Sequence, residues 1–394
     1  MDRGLSVAAS CLVLLALLTI SLGIEAVCAA ENDPVEPAEG GTPLSEASTP
    51  AAGGASEVAP ADSIPGHSLF PLPFVFYQPE THWGGGVGLL HTYRMSPRTR
   101  SSSDGLALVY TERKQFSVGL SAEMFLPGDR GRLGSDLTWS RFPDLFYGTG
   151  NRTLESDEEE YTLEHQKISV EARKAFRTSL YLGVAALYHK TRSVERESGG
   201  RLAAGGVRGS HGGRTVALGA IASFDDRDRV YHPFRGSYVT LTIRRAGRAL
   251  GSDFHYTRGE LDARRYVSLK PGHVLAGQLL LTAIRGGAPF YDLASLGGAN
   301  VLRGVYEGRF REANRVVGQA EYRFPVWRRV GGATFAGVGE VSKSPSRLRL
   351  DGFHLEFGAG VRFLLSAQDG TRLRIDYGGG KDGTGVYFAF GEPF

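Results

Sequence analysis

Beyond residue 67, apolar and polar side chains alternate with period two along most of the chain. In QFSVGLSAEMF, Phe116, Val118, Leu120, Ala122 and Met124 fall on one side, and Ser117, Gly119, Ser121 and Glu123 on the other. Leu133, Leu137 and Trp139 oppose Arg132, Gly134, Asp136 and Thr138. Near the end, Leu355, Phe357, Ala359, Val361 and Phe363 oppose His354, Glu356, Gly358, Gly360 and Arg362, and Leu373, Ile375 and Tyr377 oppose Arg372, Arg374 and Asp376. A step of two is the period of an extended strand with unlike faces. The pattern predicts strands near 70–78, 83–94, 104–112, 115–125, 131–141, 160–173, 178–191, 213–224, 236–246, 255–268, 272–284, 314–325, 332–342, 352–365, 371–380 and 384–391. That makes sixteen, an even number, with short and long connections alternating. The long ones after Arg141, Thr191 and Arg285 all fall at one end. Pro71 and Pro73 interrupt the first strand.

Alternation alone fits a soluble sandwich with its apolar face inward and a membrane barrel with its apolar face outward. Three features favour the barrel. An 18-residue uncharged run, Val7 to Ile24, follows Arg3 and precedes AVCAA, as in a secretory signal peptide cleaved after Ala29 or Ala30. The polar faces carry glycines and charges of both signs, as a crowded polar lumen would. The final strand is aromatic, with Phe388 and Phe390, and Phe394 as the last residue, which reads as the C-terminal strand signal of such barrels. The expected architecture is therefore all-β: a 16-stranded antiparallel transmembrane β-barrel in the bacterial outer membrane, with both chain ends on the periplasmic side.

Residues 1–30 read as the signal and 31–66 as a Pro/Ala/Glu-rich linker; 67–394 would form the barrel. The linker holds seven acids and neither Lys nor Arg, so against a whole-chain net charge of +3 the residues from 67 onward carry +11. Both cysteines, Cys11 and Cys28, fall in the leader, which leaves the mature chain without thiol chemistry. Trp83, Phe142, Phe146 and Tyr147 suit an interfacial aromatic belt.

The last long connection, Gly286 to Asn314, contains LRGVYEGRFRE and is followed by VVGQAEYRFPV. Together with FPDLFYGTGN, DDRDRVYHPFRGSY and GVYFAFGEPF, in that spacing, these segments resemble the Omp85 superfamily of outer-membrane barrels (bacterial surface antigen D15 type, relatives of BamA and TamA). The likeness covers most of residues 69–394. It implies that the loop bearing the Arg303–Gly304 pair folds back into the lumen and that Arg303 pairs with carboxylates on the wall, Glu321 and Glu340 being the candidates, with Tyr306 close by. A guanidinium in a confined site needs planar, bidentate acceptors. Gln319, Glu321 and Arg323 share one parity and would line the lumen with Arg362, Arg374 and Asp376. The chain departs from the family pattern at Val305, where an aromatic usually follows the pair, and at Gly337, where relatives often carry an aspartate. Residues 31–66 are too short and too polar for a POTRA module, so the likeness is to a POTRA-less type.

The resemblance implies a protein that inserts or translocates outer-membrane protein or lipid through a lateral seam between the first and last strands. The alternative is a passive channel or a structural surface antigen. No enzyme motif stands up: Gly378, Gly380 and Gly383 match GxGxxG without a following helix, and Ser210 and His211 lack the strand-turn-helix setting of a nucleophile elbow. Ten histidines show no zinc-ligand spacing. The acids of ESDEEEY, Glu155 to Tyr161, read as a solvated loop before a cation site. No cofactor, metal or nucleic acid is expected. The expected partners are outer-membrane lipid and lipopolysaccharide, nascent outer-membrane proteins and the barrel assembly machinery.

Overall fold

A computed structural model describes residues 67–78, 82–367 and 370–394. The signal and linker expectations lie outside the described residues. Sixteen strands form one antiparallel sheet in chain order: β1 (Ser68–Gln78), β2 (His82–Tyr93), β3 (Ser102–Thr111), β4 (Phe116–Phe125), β5 (Gly131–Phe146), β6 (Glu159–Arg177), β7 (Leu180–Arg196), β8 (Gly212–Asp225), β9 (Gly236–Ala246), β10 (His255–Lys270), β11 (His273–Gly287), β14 (Asn314–Trp327), β15 (Val330–Ser342), β16 (His354–Leu364), β17 (Arg372–Gly380) and β18 (Gly383–Phe390). Two short strands, β12 (Ala294–Ser295) and β13 (Arg311–Glu312), pair with each other inside the longest connection. Every predicted strand is present. β5, β7 and β11 run past the expected ends, to Phe146, Arg196 and Gly287, because the residues there still pair with their neighbours.

The two faces of the sheet are unlike in the sense expected of a membrane barrel. One side exposes Val184, Leu218, Leu241, Ile243, Leu275, Leu279, Leu355, Phe357, Tyr377 and Phe388. On the other, Arg303, Arg323, Arg362, Arg374, Glu321, Glu356 and Asp376 are all at most 1% exposed. The core is thus ionic and the surface apolar, the reverse of a water-soluble sheet protein. The sheet curls around that core. Contacts reach across the hollow from Arg132 to the Tyr238 hydroxyl (3.4 Å) and from His232 to Glu392 (2.8 Å), while Phe394 packs on Tyr266, Val274 and Ala276.

Among the described residues no backbone ladder joins β1 to β18. The two edges are nonetheless neighbours, since a Cβ placed on Gly88 of β2 would stand 3.5 Å from the Phe390 ring. Pro71 and Pro73 sit on β1, whose outer side can lack donors because nothing pairs there.

Two expectations change. Phe146 and Tyr147 belong to no exposed belt: Phe146 packs on Tyr161 and Phe290, and the Arg309 guanidinium lies over the Tyr147 ring, so both face inward under the loops. Phe394 lies off the last strand, which ends at Phe390; the tail turns to the concave side and buries it. Phe388 does face out.

The convex apolar face yields a test. Placing a charge there with Phe357→Arg should lower the unfolding free energy in lipid vesicles by about 2–4 kcal/mol if the site is at mid-depth. Phe357→Leu should leave it within about 1 kcal/mol. Denaturant titration followed by the heat-sensitive gel mobility of folded barrels measures both, and equal effects would contradict a lipid-facing Phe357.

Candidate functional site

Register builds the site. Across the concave face, Ala276 (β11), Glu321 (β14), Phe335 (β15), Gly358 (β16), Gly378 (β17) and Gly385 (β18) form one row of directly paired positions. A carboxylate and a ring stand at one end, and three residues without side chains at the other. The bare stretch is where residues 303 and 304 lie: a Cβ on Gly378 would collide with the Arg303 carbonyl, and one on Gly304 would come within 2.6 Å of the Gly379 nitrogen. Gly304 also has φ +117°, a region open to glycine.

The Arg303 guanidinium stacks 3.4 Å from the centre of the Phe335 ring. Its Nη2 is 2.7 Å from Glu321 Oε2, and its Nη1 donates to Asp376 Oδ2 at 2.6 Å. Asp376 sits one step along the barrel axis from Gly378, opposite Gly360. Both carboxylates are shared. Glu321 also accepts from Arg323 (2.8 Å) and meets Arg362 (3.2 Å); Asp376 accepts from Arg362 (2.5 Å) and Arg374 (2.9 Å). Glu392 in the C-terminal tail accepts from Arg362 (2.8 Å) and joins His232 (2.8 Å). Four guanidiniums and three carboxylates therefore form one buried lattice. Alternating charge compensates the loss of water that would otherwise forbid burying any of them.

Backbone and amide groups hold the rest of the loop tip. Gln319 accepts from the Leu302 N–H (2.8 Å) and donates to the Asn300 carbonyl (3.0 Å), Arg374 donates to the Ala299 carbonyl (3.1 Å), and the Gly304 N–H donates to the Tyr387 hydroxyl (3.0 Å). Leu302, at φ +48°, is driven into an apolar cluster with Leu280, Leu296, Val305, Phe310, Val317 and Val341. Val305, the departure from the family pattern, fills that cluster. Gly337, the other departure, leaves room for two neighbours: a Cβ there would stand 2.7 Å from Glu356 Oε1 and 2.9 Å from Leu302. Neither carboxylate oxygen of buried Glu356 accepts a hydrogen bond among the described residues.

Glu340 is not a partner of Arg303. It shares the parity of Thr334, Ala336 and Val338, opposite to Phe335, and its Oε2 accepts instead from the Arg349 N–H (3.0 Å). Asp376 takes the place expected for it, a role that the sequence reading gave only to the lumen wall. Tyr306 is removed from the ionic lattice; it is 41% exposed, and its hydroxyl donates to Asp144 Oδ1 (2.8 Å).

The other two loop arginines fasten the loop to its neighbours. Arg309 donates to Thr153 Oγ1 (2.6 Å) and carbonyl (2.8 Å), and Arg311 donates to the Gly308 carbonyl (3.0 Å) while the Gly150 N–H bonds to the Arg311 carbonyl (2.9 Å). At the start of the same connection, Asp292 accepts from His189 (2.9 Å), Thr215 (3.1 Å) and Tyr256 (2.9 Å). Burial opposes its ionisation, yet the bond and charge of His189, with the Tyr256 bond, hold its carboxyl below the usual range. In the acidic segment, Glu159 is buried and accepts the N–H groups of Arg201 and Leu202, so it closes a loop. Among the described residues no cluster of three metal-ligating side chains occurs.

Residues 101–394 match the Omp85 superfamily domain. The chain belongs to the Omp85 superfamily. Like other Omp85 barrels, it is an integral outer-membrane protein. Its fold is similar to that of a BamA from Haemophilus ducreyi lacking POTRA domains 1–3, with a TM-score of 0.51 and 16% identity over 82% of this chain and 69% of that one. It is also similar to CdiB from Acinetobacter baumannii, with a TM-score of 0.52 and 13% identity over 82% of this chain and 59% of CdiB. No curated protein matches it.

The lattice makes a test of Arg303 specific. Arg303→Ala would leave Glu321 and Asp376 buried with one cation fewer and should destabilise the folded barrel by about 3–5 kcal/mol. Arg303→Lys should recover less than half of this, because an ammonium cannot span two carboxylates and stack on Phe335. Glu340→Gln should change stability by less than about 1 kcal/mol. Urea titrations of the three variants decide it, and a Glu340→Gln loss matching that of Arg303→Ala would contradict the assignment.

Proposed function

We propose that this Omp85 barrel inserts or translocates an outer-membrane protein or lipid through a seam between β1 and β18, with the Arg303 loop locked in the lumen as its plug. The observation that supports the reading is that, among the described residues, no ladder joins the two terminal strands, beside a rigidly tied loop. An unpaired edge offers N–H and C=O groups that can template an incoming strand by backbone pairing. The superfamily, with likenesses to a BamA and to CdiB, is consistent with work on outer-membrane proteins, and nascent barrels, lipid and the assembly machinery are the partners proposed. Packing at the long-loop end, where Leu202 and Val207 lie with Phe146, Tyr161 and Phe290, speaks against a standing pore.

Cysteine pairs between residues 70–74 and 386–390 test the seam. Oxidation should abolish the protein's effect on outer-membrane protein and lipid composition, and reduction should restore it; full function in a verified cross-linked form would overturn the proposal. In planar bilayers the wild type should give small, unstable currents, and Arg303→Ala should raise the leak severalfold. Steady, ion-selective pores from the wild type would favour a passive channel.

A further inference from the structure

Two rows on the convex face, each near the long-loop end, differ in one residue. In the first, Arg141 (β5), Glu164 (β6) and Arg192 (β7) stand directly opposite one another, so an acidic residue holds the middle position, and Arg141 donates to a second carboxylate, Glu195 on β7, at 3.3 Å. In the second, Arg245 (β9), Thr257 (β10) and Arg285 (β11) stand in the same relation, with a hydroxyl where the carboxylate would be. Arg245 and Arg285 are exposed, and neither makes an ion pair among the described residues; Arg285 donates only to the Ile284 carbonyl (3.2 Å) and Asn314 Oδ1 (3.0 Å). Their Cα atoms are two strand spacings apart, roughly 10 Å, which two long side chains can close around one small anion.

The rows below complete the site. Two residues deeper, the same three strands present Ile243, Gly259 and Ala283, and two deeper again Leu241, Leu261 and Leu281. Ile243 and Leu241 are exposed, and a Cβ on Gly259 would meet only the Ala283 carbonyl, at 3.9 Å. Beneath the uncompensated cations, then, lies an apolar floor with its middle left empty.

We propose that Arg245, Thr257 and Arg285 bind the phosphate of a lipid in the leaflet at the long-loop end, with an acyl chain lying over Gly259 and Ala283. The chemistry calls for an anionic headgroup joined to hydrocarbon: the cations supply charge-assisted bonds, the Thr257 hydroxyl a third donor, and the glycine a slot pointing toward the bilayer interior. In the first row Glu164 brings a negative charge between the two arginines and Glu195 pairs with Arg141, so that row has less need of a ligand phosphate. The site lies away from the β1 and β18 edges and does not depend on the seam opening.

The test uses the purified full chain in detergent micelles, with retained lipid measured by native mass spectrometry. The probes are a diphosphorylated glycolipid of lipid A type and the same lipid dephosphorylated. The phosphorylated form should bind more tightly by about tenfold or more, and Arg245→Gln with Arg285→Gln should erase that preference. Arg141→Gln with Arg192→Gln should change binding less than about twofold, because Glu164 and Glu195 already bring carboxylates to that row. Thr257→Glu should abolish binding while the unfolding midpoint stays the same or rises, since it installs the carboxylate that the row lacks. Gly259→Leu should weaken binding with all charges intact. Equal binding of the two lipids, equal losses in both arginine pairs, unaltered binding by Thr257→Glu, or full displacement by millimolar inorganic phosphate would each overturn the assignment.

Discussion

Arg303 can sit at 1% exposure only because carboxylates from separate strands converge on it, and the geometry of the concave face follows from that requirement. An isolated buried guanidinium would be prohibitive, and a single partner seldom offsets the desolvation of both charges. Here Glu321 and Asp376 are each shared by three arginines, and Glu392 ties Arg362 to the C-terminal tail. Neighbours had to shrink for this to fit. Gly358, Gly360 and Gly378 provide the space that the Arg303 backbone, Phe335 and Asp376 occupy. The glycines of β16 and β17 are therefore part of the ionic site, although none carries a charge.

The same lattice accounts for how far the sequence could be read. Strand number and facing were legible because period-two alternation is local, and a one-residue slip would send Leu355 and Phe357 inward among charges. Glu321 was legible for the same reason, since parity along β14 places it with Gln319 and Arg323. Glu340, the other candidate, fails on the structure: it lies an odd number of residues from Phe335 and accepts from the Arg349 N–H instead. Asp376 was harder to find. Nothing local to β17 marks it as a partner of Arg303, 73 residues earlier; that pairing depends on the register of β14 to β17 and on the loop's path, both set by tertiary contacts. The burial of Phe146 and Tyr147 was missed on similar grounds: an aromatic near a strand end looks alike whether it meets lipid or a loop folded back over it.

The ties are unevenly distributed, and this bears on which side of the proposed seam can move. Residues 299–304 are bonded to β14 through Gln319 and Glu321, to β17 through Arg374 and Asp376, and to β18 through Tyr387; the tail is bonded to β14 through Arg323 and to the loop before β9 through His232. Moving β18 as a body would break several buried charge-assisted bonds at once, each expensive when one partner stays behind. β1 carries none of these ties. Among the described residues its ladder is with β2 alone; it bears Pro71 and Pro73 and presents no charged residue to the lattice. Opening at the proposed seam would therefore proceed by displacement of β1 against a β18 that the Arg303 loop ties in place. In the proposed mechanism the loop would then do more than plug the barrel: it would fix one edge of the seam so that the other could move as the template.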